Sequence, residues 1–69
     1  MDISYVLVKQ EENMDKITTI TVKRNITSEH EMRSVEKFLK TRGYSKTADC
    51  MWCKIYSKDD TDYVLNREY

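Results

Sequence analysis

Residues 28–44, SEHEMRSVEKFLKTRGY, predict an amphipathic helix with a structural signal at each end. Ser28 followed three residues later by Glu31 is a capping-box pattern, in which the serine hydroxyl accepts from the Glu31 amide and the glutamate reaches back to the Ser28 amide. Gly43 suits the left-handed position just after a helix. We therefore expect a helix over residues 29–42. Its apolar stripe, at helical spacing, comprises Met32, Val35, Phe38 and Leu39.

Two segments before the helix predict a β-hairpin. Residues 4–9 (SYVLVK) form a short run that is almost continuously apolar, and residues 17–23 (ITTITVK) alternate between apolar and polar types. The mostly polar residues 10–15 predict the connection between the two strands. Alternation in the second strand gives the hairpin one marked inner face, which includes Ile20 and Val22.

Two further strands are predicted after the helix, at residues 49–57 and 61–67. They are joined through residues 57–60 (SKDD), a polar cluster typical of turns. A single amphipathic helix between two hairpins buries its stripe most simply on one face of a four-stranded antiparallel sheet. The predicted fold class is therefore α+β with ββαββ order, in one small domain spanning residues 1–69, with the other sheet face uncovered.

Composition and charge narrow the class of protein. The chain has 69 residues, of which 39% are hydrophobic and 35% charged, a balance typical of a soluble globular domain. The formal net charge is zero, which argues against binding nucleic acid through an overall excess of positive charge. No apolar run approaches the ~20 residues of a membrane helix, so no membrane partner is expected. The first residues lack the features of a secretory signal, and the expected location is cytoplasmic.

Cys50 and Cys53 form a Cys-x-x-Cys pair inside the predicted strand 49–57. Side chains three apart on a strand point to opposite faces, so this position predicts two separate residues rather than one site. Structural zinc needs four ligands, and the chain offers one such pair and one histidine, His30. We expect no cofactor, no bound metal and no Cys50–Cys53 disulfide. A zinc site shared across a dimer is the remaining alternative.

The uncovered sheet face is the predicted partner-binding surface. Lys54 is expected on this face because the reverse arrangement would bury its charge in the core. Alternation then places Trp52 and Tyr56 on either side of it, and the first strand contributes Tyr5 and Leu7. The predicted contact residues are Tyr5, Trp52, Lys54 and Tyr56. An aromatic sheet face suits either a protein interface or the stacking of RNA bases, and zero net charge favours a protein. The alternative is a face partly closed by the termini or by a homodimer.

A second candidate surface lies on the helix. Arg33, Lys37 and Lys40 recur at i, i+4 and i+7 and so line up along the helix as candidate contacts for an anion or a nucleic acid. Ordinary solvation of a helix face also explains this pattern, because Glu29 and Arg33 form a favourable i, i+4 pair.

In its size, its lack of proline, its single glycine and the order of its elements, the chain resembles many small phage-encoded proteins that bind and inhibit a host enzyme or defence complex. The resemblance implies a non-catalytic protein-binding module whose partner is another protein. The alternative is a small nucleic-acid-binding protein that uses the basic helix face and the aromatic sheet face. An enzyme is not expected, because His30 has no nucleophile or second histidine paired with it in sequence.

Overall fold

The computed structural model describes residues 3–68, which form an α+β fold of one helix and a five-stranded antiparallel sheet. The elements, in chain order, are β1 (Ser4–Asn13), β2 (Lys16–Ile26), α1 (Glu29–Thr41), β3 (Ser45–Asp49), β4 (Cys53–Lys58) and β5 (Thr61–Glu68). The strands lie in the order β2-β1-β5-β4-β3. The predicted α+β class with one helix is confirmed for these residues. The predicted number of four strands is wrong, because β3 adds a fifth.

The first hairpin is longer than predicted because its turn contains only two residues. Asn13 pairs with Lys16, and the two residues between them, Met14 and Asp15, have φ of 48° and 68°. Two consecutive positive φ values are typical of a type I′ turn, whose twist matches that of the flanking strands. Residues 10–13, predicted as part of a connection, therefore continue β1.

Both ends of α1 follow the signals in its sequence. The Glu31 amide donates to the Ser28 hydroxyl over 3.1 Å. After the last turn, Gly43 has φ of 88°, its amide donates to the Lys40 carbonyl, and the Tyr44 amide donates to the Leu39 carbonyl, each over 3.0 Å. This pair of bonds is a Schellman motif, which satisfies carbonyls that the helix itself leaves unpaired.

The core lies between α1 and one face of the sheet. Val35 and Leu39 point from the helix onto the sheet, and Met32 packs at the margin. Phe38, predicted in the same stripe, is 41% exposed, and its ring lies 4.2 Å from the Arg42 guanidinium carbon. The buried apolar residues are Leu7, Ile26, Val35, Leu39, Tyr56, Tyr63 and Leu65.

The predicted strand 49–57 is divided in the structure. Residues 45–49 form β3, and the strand β4 begins only at Cys53, so that residues 50–52 form the tip of a hairpin. The Cys50 amide donates to the Cys53 carbonyl over 2.8 Å and closes this tip. The Trp52 carbonyl accepts from the Arg67 amide, also over 2.8 Å, and ties the tip to β5.

Candidate functional site

The sheet face turned away from α1 is the open face, and one row of small and β-branched residues crosses it from edge to edge. Cross-strand neighbours share a face, and the registers link Thr21 to Val8, Val8 to Val64, Val64 to Ile55, and Ile55 to Ala48. We call these five residues the cross-sheet row. Within residues 3–68 the only helix packs on the opposite side, so no described element covers this row.

The side chains around the cross-sheet row are mostly uncharged. The three central strands place no lysine or arginine on the open face within residues 3–68, because alternation sends their basic side chains to the helix side. Acidic residues lie toward the strand ends, at Glu12, Asp62 and Glu68. Glu68 is held by Arg24 of β2 over 2.8 Å. The centre of the open face is therefore uncharged.

Three of the four predicted contact residues do not lie on the open face, so the predicted face assignment is wrong. Tyr56 is fully buried in the core, and Tyr5 packs against the core with Leu7, which is also buried there. Lys54 lies two residues before Tyr56 on β4 and therefore also points to the helix side. Cys53 and Ile55, between and beside them, lie on the open face. Trp52 alone remains exposed, at 51%, in the tip between β3 and β4.

Lys54 can occupy the helix side because β4 lies near the edge of the sheet, where only β3 is farther out. Its Nζ reaches the Glu36 Oε1 on α1 at 3.4 Å, and both side chains are half-buried. A lysine can pack its methylene stem against apolar surface and still place its charge beside a partner. On the other margin, Lys23 of β2 contacts Glu31 of α1 at 3.2 Å. Ion pairs thus join the helix to strands near both edges of the sheet.

Burial of Tyr56 has a direct electrostatic consequence. The pKa of its hydroxyl is raised well above the ordinary value, first because burial disfavours the phenolate and then because the Glu36 carboxylate is nearby. Tyr56 is therefore neutral in the folded protein over the whole neutral range. A residue in this position stabilises the core and is not accessible to a partner.

Cys50 and Cys53 lie on one side of a tight tip rather than on opposite faces of a strand. Their Sγ atoms are 2.7 Å apart, and one thiol is hydrogen-bonded to the other. The pKa of the Cys50 thiol is lowered, chiefly by the hydrogen bond from Cys53 and then by the backbone N–H of Trp52. The pKa of the Cys53 thiol is raised, first by its hydrogen bond with Cys50 and then by burial. The geometric reason for treating these cysteines as separate is therefore wrong.

Lys37 of the helix meets two cations from outside α1, Arg42 and Lys58, in one groove. The groove has a volume of about 850 Å³ and is lined by Lys37, Arg42 and Lys58, with Phe38 and Tyr44 among its other walls. No acidic side chain of the described chain lines it. Lys58 also donates to the Arg42 carbonyl over 2.9 Å, at the C-terminal end of α1.

Of the other two predicted helix contacts, Arg33 is paired with Glu29 at 3.5 Å, and neither Arg33 nor Lys40 lines the groove. The contribution of Lys58 could not be read from sequence, because β4 and the end of α1 meet only in the folded chain.

Val64 could have been placed on the open face by its neighbours, since Asp62 and Asn66 alternate with the buried Tyr63 and Leu65.

A metal site or membrane span is not found in residues 3–68. No group of three or more histidine, cysteine, aspartate or glutamate side chains in this part of the chain could hold a metal ion. The one helix described has 13 residues and is too short and too polar to cross a bilayer. Comparison with protein-family models, curated proteins and solved structures gave no match.

Proposed function

We propose that this chain is a non-catalytic protein-binding module that contacts its partner through the open face of the sheet. The observation that carries the proposal is the cross-sheet row, which runs over all five strands without a covering element in residues 3–68. Four of its members are apolar and half-buried, and the fifth, Thr21 on β2, is exposed. Monomeric proteins seldom leave a contiguous apolar patch exposed unless it binds something. The partner chemistry that fits is an apolar protein surface.

We propose that Trp52, in the tip of the β3–β4 hairpin, adds a contact beside this surface. It is half exposed, and tryptophan is among the residues that most often dominate binding energy at interfaces. In size and composition the chain resembles small phage-encoded inhibitors, and a bacterial host enzyme or defence complex is the class of partner we propose.

A charge placed in the centre of the open face tests the proposal. Val64→Lys should abolish partner capture from bacterial lysate without loss of folding, because the new side chain projects from the sheet into solvent. Trp52→Ala should weaken binding by at least about 2 kcal/mol, the usual hot-spot threshold, and leave the thermal midpoint nearly unchanged. Affinity is measured by calorimetry once the captured protein has been identified.

Ile20→Lys is the matched control, because Ile20 is 51% exposed and lies on the helix side of β2. It introduces the same charge on the opposite face and should leave partner capture intact. Capture that survives Val64→Lys would contradict the proposal. Self-association of the purified chain that is lost in Val64→Lys would also contradict it, because the occupant of the face would then be a second copy.

A second candidate function is binding of nucleic acid, and the observation that favours it is the groove of Lys37, Arg42 and Lys58. Cations next to the rings of Phe38 and Tyr44 combine phosphate contacts with surfaces on which bases can stack. The aromatic sheet face that this function was expected to use is absent from the described strands, because Tyr5, Tyr56 and Tyr63 all pack on the helix side. The groove alone carries this alternative.

A further inference from the structure

The tip of the β3–β4 hairpin brings two thiols together in a backbone turn that is already closed. The Cys50 amide is bonded to the Cys53 carbonyl over 2.8 Å, and the two Sγ atoms are 2.7 Å apart. A disulfide bond is ~2.05 Å long, so the sulfurs need to move together by only about 0.7 Å. Cys50 is exposed to solvent and Cys53 is half-buried.

We propose that Cys50 and Cys53 are a thiol–disulfide exchange site that closes into an intramolecular disulfide on reaction with a small disulfide of the glutathione class. The backbone turn holds both side chains on the same side of the tip, so closure requires no change in strand pairing. The reaction does not depend on a bound partner, although Cys53 lies on the open face beside Trp52.

The two cysteines have different roles in the reaction. The Cys50 thiolate attacks one sulfur of the small disulfide and forms a mixed disulfide, and the other half leaves as a thiolate that takes up a proton. Cys53 then loses its proton to solvent and attacks the Cys50 sulfur, expelling the second small thiol. The protein dithiol is oxidised by two electrons, and one small disulfide is reduced to two thiols.

Exposure and hydrogen bonding assign the attacking role to Cys50. It is the more accessible sulfur, and the hydrogen bonds it receives favour its thiolate form, which is the nucleophile. Cys53 is less exposed, and the pKa of its thiol is raised by the contact with Cys50, which favours its protonated form before the mixed disulfide has formed. A zinc site is disfavoured in a single chain, because residues 3–68 place no third ligand beside the two sulfurs.

Closure would fix the conformation of Trp52, which lies between the two cysteines and is the one tryptophan of the chain. Its carbonyl already accepts from the Arg67 amide in β5. Oxidation therefore adds a second restraint to an exposed aromatic residue. The fluorescence of Trp52 is a readout of the same event, because Trp52 directly precedes Cys53 in the chain.

Mass spectrometry of the whole protein in buffers of reduced and oxidised glutathione tests the proposal. The wild-type chain should lose two hydrogen atoms, retain no glutathione, and change its Trp52 emission. Cys53→Ser should retain one glutathione on Cys50, because the resolving thiol is absent. Cys50→Ser should be modified more slowly than Cys53→Ser, since Cys53 is the less exposed of the two sulfurs.

Three outcomes would overturn the proposal. The first is a wild-type chain that retains glutathione on both cysteines or reacts with neither. The second is an equal rate of modification in Cys50→Ser and Cys53→Ser. The third is stoichiometric zinc in the reduced protein at one ion per two chains, which would make the thiols ligands of a shared metal. Circular dichroism of each variant establishes that the fold is retained.

Discussion

Tyr56 determines which side of β4 belongs to the core. It is fully buried among residues of β1, β5 and α1, and its alternation partners Lys54 and Lys58 therefore point to the helix side. Each of these lysines finds an oxygen on or next to α1, Lys54 at the Glu36 carboxylate and Lys58 at the Arg42 carbonyl. One buried tyrosine thus sits between two lysines that join the strand to the helix.

The raised pKa of Tyr56 predicts a loss of stability at high pH. In the unfolded chain the phenol ionises near pH ~10, whereas in the folded chain it stays protonated to a higher pH. Above pH ~10 the unfolded state binds fewer protons than the folded state, so the free energy of unfolding falls as pH rises. Urea unfolding of wild type and Tyr56→Phe from neutral to alkaline pH measures this difference.

Tyr56→Phe provides the comparison because phenylalanine fills nearly the same volume and does not ionise. The stability of the variant relative to wild type should be constant up to pH ~9 and increase above it. If the free energies of unfolding of the two proteins changed in parallel with pH over the whole alkaline range, Tyr56 would titrate as it does in the unfolded chain. Other tyrosines and the lysines titrate in both proteins, and their contributions cancel in the difference.

The face of β4 could not be predicted correctly from its residues alone. Lys54 was expected on the open face because burial of its charge beneath the helix would be costly. Its Nζ avoids this cost by reaching Glu36 at the edge of the helix–sheet interface. The position of β4 next to the short edge strand β3 depends on sheet order, which sequence does not give. Because Lys54 was placed on the open face, alternation placed Tyr56 there too. The same register then placed Tyr5 and Leu7 on the open face, although all three residues pack on the helix side.

At the scale of elements, α1 was predictable because its determinants are local. The cap at Ser28 and the turn at Gly43 act over a few residues, and the Glu31 amide bond and the Gly43 turn form as expected. The Glu31 carboxylate, expected at the Ser28 amide, instead accepts from the Ser28 hydroxyl over 3.4 Å. β3 was missed because its sequence, SKTAD, contains no strong β-former apart from its threonine. This strand exists through pairing with β4, where Ala48 lies opposite Ile55 and Thr47 donates to the Ile55 carbonyl.

Adjacent positions on α1 should differ sharply in their contribution to stability. Leu39 is fully buried, and Leu39→Ala should lower the free energy of unfolding by about 2 to 5 kcal/mol, because it leaves a cavity between helix and sheet. Phe38→Ala is the matched variant on the exposed side and should cost clearly less. Urea denaturation followed by circular dichroism gives both values, and equal losses would mean that the two side chains share one buried stripe.

At the scale of the whole molecule, the net charge is zero, but basic and acidic side chains are distributed unequally between the two faces of the sheet. The basic side chains of the central strands lie on the helix side, and the open face retains an uncharged centre with acidic ends. An apolar partner surface and a phosphate backbone would therefore approach opposite sides of the protein. This separation makes the two candidate functions distinguishable by substitutions on one side at a time.

We expect no measurable affinity for DNA or RNA at about 200 mM salt, with at most weak binding at about 50 mM that disappears as salt is added. The reason is that only three cations line the groove, and each phosphate contact is weakened by counterions. Fluorescence anisotropy with labelled oligonucleotides measures the affinity. Tight binding that is reduced by Lys37→Gln but not by Arg33→Gln would favour the nucleic-acid function, since only Lys37 lines the groove.

The alternation of side chains along β1 and β5 also has a consequence for how this protein can evolve. Val8 and Val64 face outward, whereas their neighbours Leu7 and Leu65 face the core, so inherited changes can accumulate on one side while the other is conserved. A lineage under pressure from a changing target could replace outward residues one at a time, each step leaving the packing beneath the helix intact. Under the proposed function, a small chain with two separable sides can diversify its recognition without first acquiring a larger fold.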